Sequence, residues 1–384
     1  MNAGADVVAG VAGLDESEPS AASVLLSRLL HAADNLLVPC LGFTLSLALF
    51  GVFIAATGNS PVDVFEQMYR GAFGTWFSFQ NTLLRAAPLM LTGLCTALPA
   101  RLGLMVIGGE GALVVGGVAA AASAQALQGA SPLLVDFGMA LSAMLAGGAW
   151  IGSAGALRAL RGVNETISSL LLSYIGIALL NHLVEGPLKD PESLNKPSTR
   201  HIGEANMLPN LPGLDVHYGL LFGVVACVLC YVLMHHTVFG FSARVVGGNA
   251  RAARLSGLPV ERLVIISCAI GGAAAGLAGM VEVAAVHGKA NASLVAGYGY
   301  TGILVAFLAR QNPLGMIPVA LLLGGISASG GLLQRAFQLP DATVNVLQGI
   351  LFVVLLASET FQSRLKLFQR IETKLLRAEP RLLP

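Results

Sequence analysis

The chain reads as a succession of long apolar runs broken by short polar connections. The runs fall near 35–57, 81–100, 104–124, 133–156, 166–184, 217–235, 263–284, 314–333 and 342–358, with a shorter one at 297–309. Most approach the length a helix needs to cross roughly 30 Å of hydrocarbon. Apolar positions within them are continuous rather than alternating, which argues against a transmembrane β-barrel. The pattern predicts an all-α, polytopic membrane helical bundle of about ten transmembrane helices. Residues 35–360 form this bundle, between a polar, mobile tail at 1–34 and a basic tail at 361–384.

Composition supports the membrane assignment. The 384 residues are 55% hydrophobic and 11% charged, with a mean hydropathy of +0.75. A soluble domain carries about 25% charged residues and uses them to cover its surface. The 46 glycines suit close helix contact in lipid, and the spacing of Gly272, Gly276 and Gly279 fits that role. The polar, slightly acidic N-terminus lacks the basic start of a cleavable signal peptide. All five cysteines fall inside apolar runs, so the Cys227–Cys230 pair is read as small buried residues.

Charge then orients the bundle. With both termini in the cytoplasm and ten alternating helices, 15 of the 22 lysines and arginines fall on the inner side. That is the bias expected when positive charge is retained inside. The proline-containing connection 186–217 is placed outside, as a lid or docking rim. The arginine-rich connection 239–262 is placed inside.

Two glycine-rich segments open apolar stretches: GLMVIGGEG near 104 and GYGYTG at 297–302. Glycine-interrupted segments in corresponding halves of a transporter mark broken helices, and an internal pseudo-two-fold repeat is expected. GYGYTG also matches the dinucleotide fingerprint, but a loop precedes it, a membrane stretch follows, and no acidic residue stands near position 320. Its glycines are read as a tight entry into a broken helix.

Polar groups inside a bilayer are costly and therefore candidates for function. Glu110 either bonds the amides of its own glycine-rich turn or faces the substrate pathway. Glu165, Ser169 and Ser173 are four apart and share one helix face beside Gly176. That stripe either lines the pathway or holds helices together by interhelical hydrogen bonds. Asn164 has the character of the helix N-cap. Tyr298 and Thr301 complete the candidate pathway set. No metal-ligand spacing occurs, and no catalytic residue is assigned.

The sharpest local signal is NARAARLSG. It predicts a short helix able to sit in a groove of a partner, with Ala252 and Ala253 permitting close approach. Gly257 permits the turn, and Arg251 and Arg254 supply charge.

Several motifs together resemble a known family: VIGGEG, VNETISSLLLSY, VVGGNARAARLSGL, GGAAAGLAGMVEV and GYGYTGILVAFLARQNPLG. Over residues 35–360 the chain is similar to permease subunits of bacterial ABC importers of the branched-chain amino acid, ribose and nucleoside group. It is closest to the subfamily for simple sugars and nucleosides. The resemblance implies a bacterial inner-membrane permease forming half of a translocation pathway. It also implies a partner ATPase that binds ATP-Mg, a second homologous permease, more often different than identical, and a periplasmic substrate-binding lipoprotein. The absence of any GxxxxGK[ST] sequence agrees with hydrolysis elsewhere. The rival reading is a stand-alone proton- or sodium-coupled carrier, in which Glu110, Glu165 or Glu282 titrates.

Overall fold

The computed structural model describes residues 41–193 and 195–362. The tails expected at 1–34 and 361–384 lie outside them, apart from the last turn of the final helix. Among the described residues thirteen α-helices follow in order: α1 (Leu41–Ala56), α2 (Pro61–Tyr69), α3 (Trp76–Ala100), α4 (Gly109–Ala126), α5 (Pro132–Arg161), α6 (Glu165–Glu185), α7 (Gly219–His236), α8 (Val238–Gly248), α9 (Ala250–Leu255), α10 (Val260–Val281), α11 (Tyr298–Leu308), α12 (Met316–Phe337) and α13 (Ala342–Gln362). Among the described residues there is no β-strand, only two isolated antiparallel bridges, Ser198–Asn291 and Asn210–His217. The all-α expectation holds.

Among the described residues, length and apolarity give six helices able to cross a membrane, or seven if α1 and the bent segment Pro61–Gly74 form one span. The remaining apolar stretches are interrupted or short. Residues 104–107 are not helical, so α4 begins only at Gly109, and α11 has 11 residues.

The helices start where local chemistry directs. Thr75 accepts from Ser78 N–H at the head of α3, and Asn164 Oδ1 accepts from Thr166 and Ile167 N–H at 2.9 and 3.1 Å at the head of α6. Each capping side chain replaces a partner that a first-turn amide lacks.

The described part of the chain divides into two units, Leu47–Phe352 and the flanking stretches 41–46 and 353–362. In the second unit, Leu355 lies against Gly42, and Ser46 donates to the Gly42 carbonyl at 2.7 Å. In the first, α10 packs between α3, α4 and α5. A Cβ on Gly276 would lie 3.2 Å from Gly147 Cα and closer still to the Ala143 carbonyl, so α10 and α5 touch backbone to backbone. In lipid, where apolar burial gives little driving force between helices, such contact supplies the packing energy. Leu91, Leu113, Met139, Leu180 and Met280 fill the core around it.

The connection 186–217 is tied down along its length. Thr199, Ile202 and Leu208 N–H each donate at 2.9 Å to the carbonyls of Ala290, Gly288 and Ala284. Ile202 and Val216, part of the connection itself, are buried.

Candidate functional site

Residues 104–107 leave a stretch of non-helical backbone in an apolar environment, where each unpaired amide is costly. Side chains answer it one group at a time. Glu165 Oε1 accepts from Met105 N–H at 3.3 Å, Ser169 Oγ from Ile107 N–H at 3.1 Å, and Ser173 Oγ from Gly111 N–H at 3.3 Å. The carbonyls are met as well: Thr166 Oγ1 donates to Met105 O at 2.8 Å and Thr96 Oγ1 to Val106 O at 3.1 Å. The four-residue spacing on α6 therefore runs alongside the break and caps it. Ser169 and Ser173 are wholly buried, and the second oxygen of Glu165 lies 3.3 Å from Arg158 Nε. Of the two readings left open for this stripe, the geometry favours interhelical bonding.

Glu110 is also wholly buried, and both its oxygens are engaged. Oε1 accepts from Gly297 N–H at 2.8 Å and Oε2 from Gly299 N–H at 2.6 Å. One of the two readings open for it gives it the amides of its own turn. Its actual partners belong to the other glycine-rich segment, which the fold brings against it. α11 has no side-chain cap of its own, so the Glu110 carboxylate occupies that position, where the helix dipole favours negative charge. The glycines serve this junction. Gly297 takes a φ of +80°, and a side chain on Gly299 would collide with the Glu110 backbone. Thr92 Oγ1 donates to Tyr298 O at 3.0 Å, fixing α11 to α3.

Beside this junction lies a cavity of about 500 Å³. Tyr300 and Thr301 of α11, Asn345 and Gln348 of α13, Ile107 from the broken segment and Phe352 are among its lining residues. It is mostly apolar with a few convergent polar groups, as small-molecule passages and pockets commonly are. Gln348 is fixed in its wall: Thr301 Oγ1 donates to Oε1 at 3.1 Å, and Nε2 donates to Ser327 Oγ at 2.8 Å. Of the six candidate pathway residues, Thr301 alone lines this cavity. Tyr298 packs against the core instead, while Glu110, Glu165, Ser169 and Ser173 support the surrounding backbone. Sequence reasoning passed over Tyr300, Asn345 and Gln348. The signal available was a pair of amides three apart in the apolar run TVNVLQGILFVV.

The predicted short helix in NARAARLSG is α9. Asn249 Oδ1 caps it by accepting from Arg251 and Ala252 N–H, both at 3.0 Å, and Gly257 closes it with a φ of +81°. Arg251, Ala252 and Gly257 are exposed. Ala253 is wholly buried, so the close approach it permits is to its own chain, which corrects its expected place on the partner-facing side. Arg254 is paired with Glu261 at 2.9 Å. The outward apolar group is Leu255, 85% exposed. Elsewhere, Cys227 and Cys230 are buried free thiols of α7.

Comparison with known proteins places this geometry. The model of the family described as "branched-chain amino acid transport system / permease component" matches residues 78–356. The glucose ABC transporter permease of Haloferax volcanii is 34% identical over 84% of this chain and 88% of its own. The guanosine ABC transporter permease of Bacillus subtilis is 30% identical over 87% and 95%. The nucleoside ABC transporter permease of Lactococcus lactis is 27% identical over 75% and 82%. Both broken segments and α9 fall within the matched range, and the chain belongs to this family of ABC importer permease subunits, integral membrane components whose ATP is hydrolysed by a separate subunit.

Proposed function

We propose that this chain forms half of the translocation pathway of an importer for nucleosides, purine-like compounds or simple sugars in a bacterial inner membrane. The carrying observation is the cavity between α11 and α13, set against a wall of broken helices. A stack of an aromatic ring on Tyr300 and hydrogen bonds from Asn345 and Gln348 suit weak, passing contact with a small polar solute. Tight selection is left to a periplasmic binding lipoprotein.

Exposed α9, with Leu255, Arg251, Ala252 and Gly257, is the docking knob for the ATPase. A second, homologous permease supplies the other half of the passage. Both termini face the cytoplasm, and the connection 186–217 faces the periplasm. The bundle is read as ten spans in two related halves, each bringing one glycine-rich break to the junction at Glu110.

Uptake of labelled guanosine and glucose by cells expressing the complete system tests this reading. Collapse of the proton gradient with ATP preserved leaves uptake intact under this account. Immediate loss of uptake contradicts it.

A further inference from the structure

Arg101 stands where three parts of the fold meet. The first is the end of α3, which it follows directly. The second is α8 near its junction with α9. A Cβ on Gly247 would drive into the Arg101 carbonyl and lie 3.3 Å from Leu102 Cα, so the α8 backbone rests on this peptide. Gly247 is two residues before Asn249, the cap of α9. α8, which leads directly into the cap of α9, therefore meets the backbone of Arg101 through a packed contact without intervening side chains.

The third part is the turn that leaves α11. Arg101 Nε and Nη2 both donate to the Gln311 carbonyl, at 3.3 and 3.0 Å. That turn is closed by Gln311 N–H to Ala306 O and Arg310 N–H to Phe307 O, each 2.8 Å. It holds two successive non-glycine residues in the left-handed region, Arg310 at φ +50° and Gln311 at φ +58°. Such residues are strained and persist where the surroundings over-determine them. The forked, charge-assisted grip on Gln311 O is one such constraint. Its carbonyl acceptor sits three residues beyond the end of α11, the helix that carries Tyr300 and Thr301 into the cavity. α11 is thus held at its start by Glu110 and just past its end by Arg101.

We propose that Arg101 is a positioning residue for transport, passing displacement of the docking helix α9 to α11 and hence to the wall of the cavity. This rests on reading α9 as the docking knob and the cavity as part of the passage. Arg101 itself is not among the residues that line the cavity.

The test uses the complete transporter, with its ATPase, in lipid nanodiscs. A reporter, Ala296→Cys at the cavity, is labelled with a cationic methanethiosulfonate, without nucleotide and then trapped with ATP and vanadate. With Arg101 intact, trapping changes the labelling rate severalfold. No change in that parent would overturn the docking and passage reading, and the proposal with it. In Arg101→Ala the change disappears, while assembly and basal ATPase activity persist. Arg101→Lys, which keeps one charged donor, restores part of it, an outcome a merely structural role would not give. Full retention of the trapping-dependent change in Arg101→Ala overturns the proposal. If Arg101→Ala fails to assemble, Gly247→Ala is read instead, since it disturbs the other face of the same contact. Decoupling there supports the relay, and an unaltered response refutes it.

Discussion

Glu110 and Gly299 lie 189 positions apart and are joined by a hydrogen bond of 2.6 Å between carboxylate and backbone amide. Two breaks in two helices are thereby made into one junction, because the amides freed by one break are answered from the other. Glu110→Gln keeps the shape but sets an amide N–H₂ against a backbone N–H. We expect a stability loss of about 1–3 kcal/mol, the usual cost of an unsatisfied buried group. Uptake by the remaining folded protein keeps its KM. A changed KM at unchanged thermal stability would instead put Glu110 in contact with the solute.

Ser169→Ala strips the acceptor from Ile107 N–H, and Ser173→Ala does the same to Gly111 N–H. Each is expected to cost about 1–3 kcal/mol. The double variant should lose more than the sum, since both hold one strip of backbone. Thermal unfolding in detergent measures this, and near-neutral effects would show the stripe to be dispensable.

Gln348→Leu removes a polar group from the cavity wall and releases both Thr301 and Ser327. Tyr300→Ala removes the aromatic face. Both should raise the KM of uptake severalfold while membrane insertion is unchanged, as read from concentration-dependent uptake and membrane-fraction yield.

Leu255→Asp places a charge on the large exposed apolar side chain of α9. Its effect on the stability of the isolated permease is expected within about 0.5 kcal/mol, as for surface positions generally. Co-purification with the ATPase, and uptake, should be lost. Gly257→Trp is a less direct probe, because the φ of +81° strains any side chain at that position.

His217, buried at the foot of the connection 186–217, provides a pH dependence. Burial pushes its imidazole down to about 4. The folded protein holds it neutral, while the unfolded chain takes up a proton below about 6.5. Its contribution is therefore present above that value and lost as pH falls towards 4, because the unfolded state binds more protons there. Melting temperatures taken between these limits should fall less steeply in His217→Leu than in the parent.

Local features of this fold were legible in the sequence. Asn164 as a cap, the breaks before α4 and α11, and the short helix α9 all follow from nearest-neighbour chemistry. What was not legible depends on distant parts of the chain. Nothing near Glu110 announces that its partners are Gly297 and Gly299. Ala252 and Ala253 look equivalent in sequence, yet a helix of six residues turns one outward and buries the other. Tyr298 and Tyr300 likewise differ only in which side of α11 they occupy. Asn345 and Gln348 stand in a run that hydropathy alone reads as lipid-facing.

This polypeptide is a passage worked by an engine on another chain. Reconstitution in liposomes tests it most directly, with guanosine and glucose as probes, the permease alone in one preparation and the complete ATP-supplied system in the other. The account predicts accumulation of one of them only in the complete system. Accumulation by the permease alone, with only an ion gradient supplied, would contradict it.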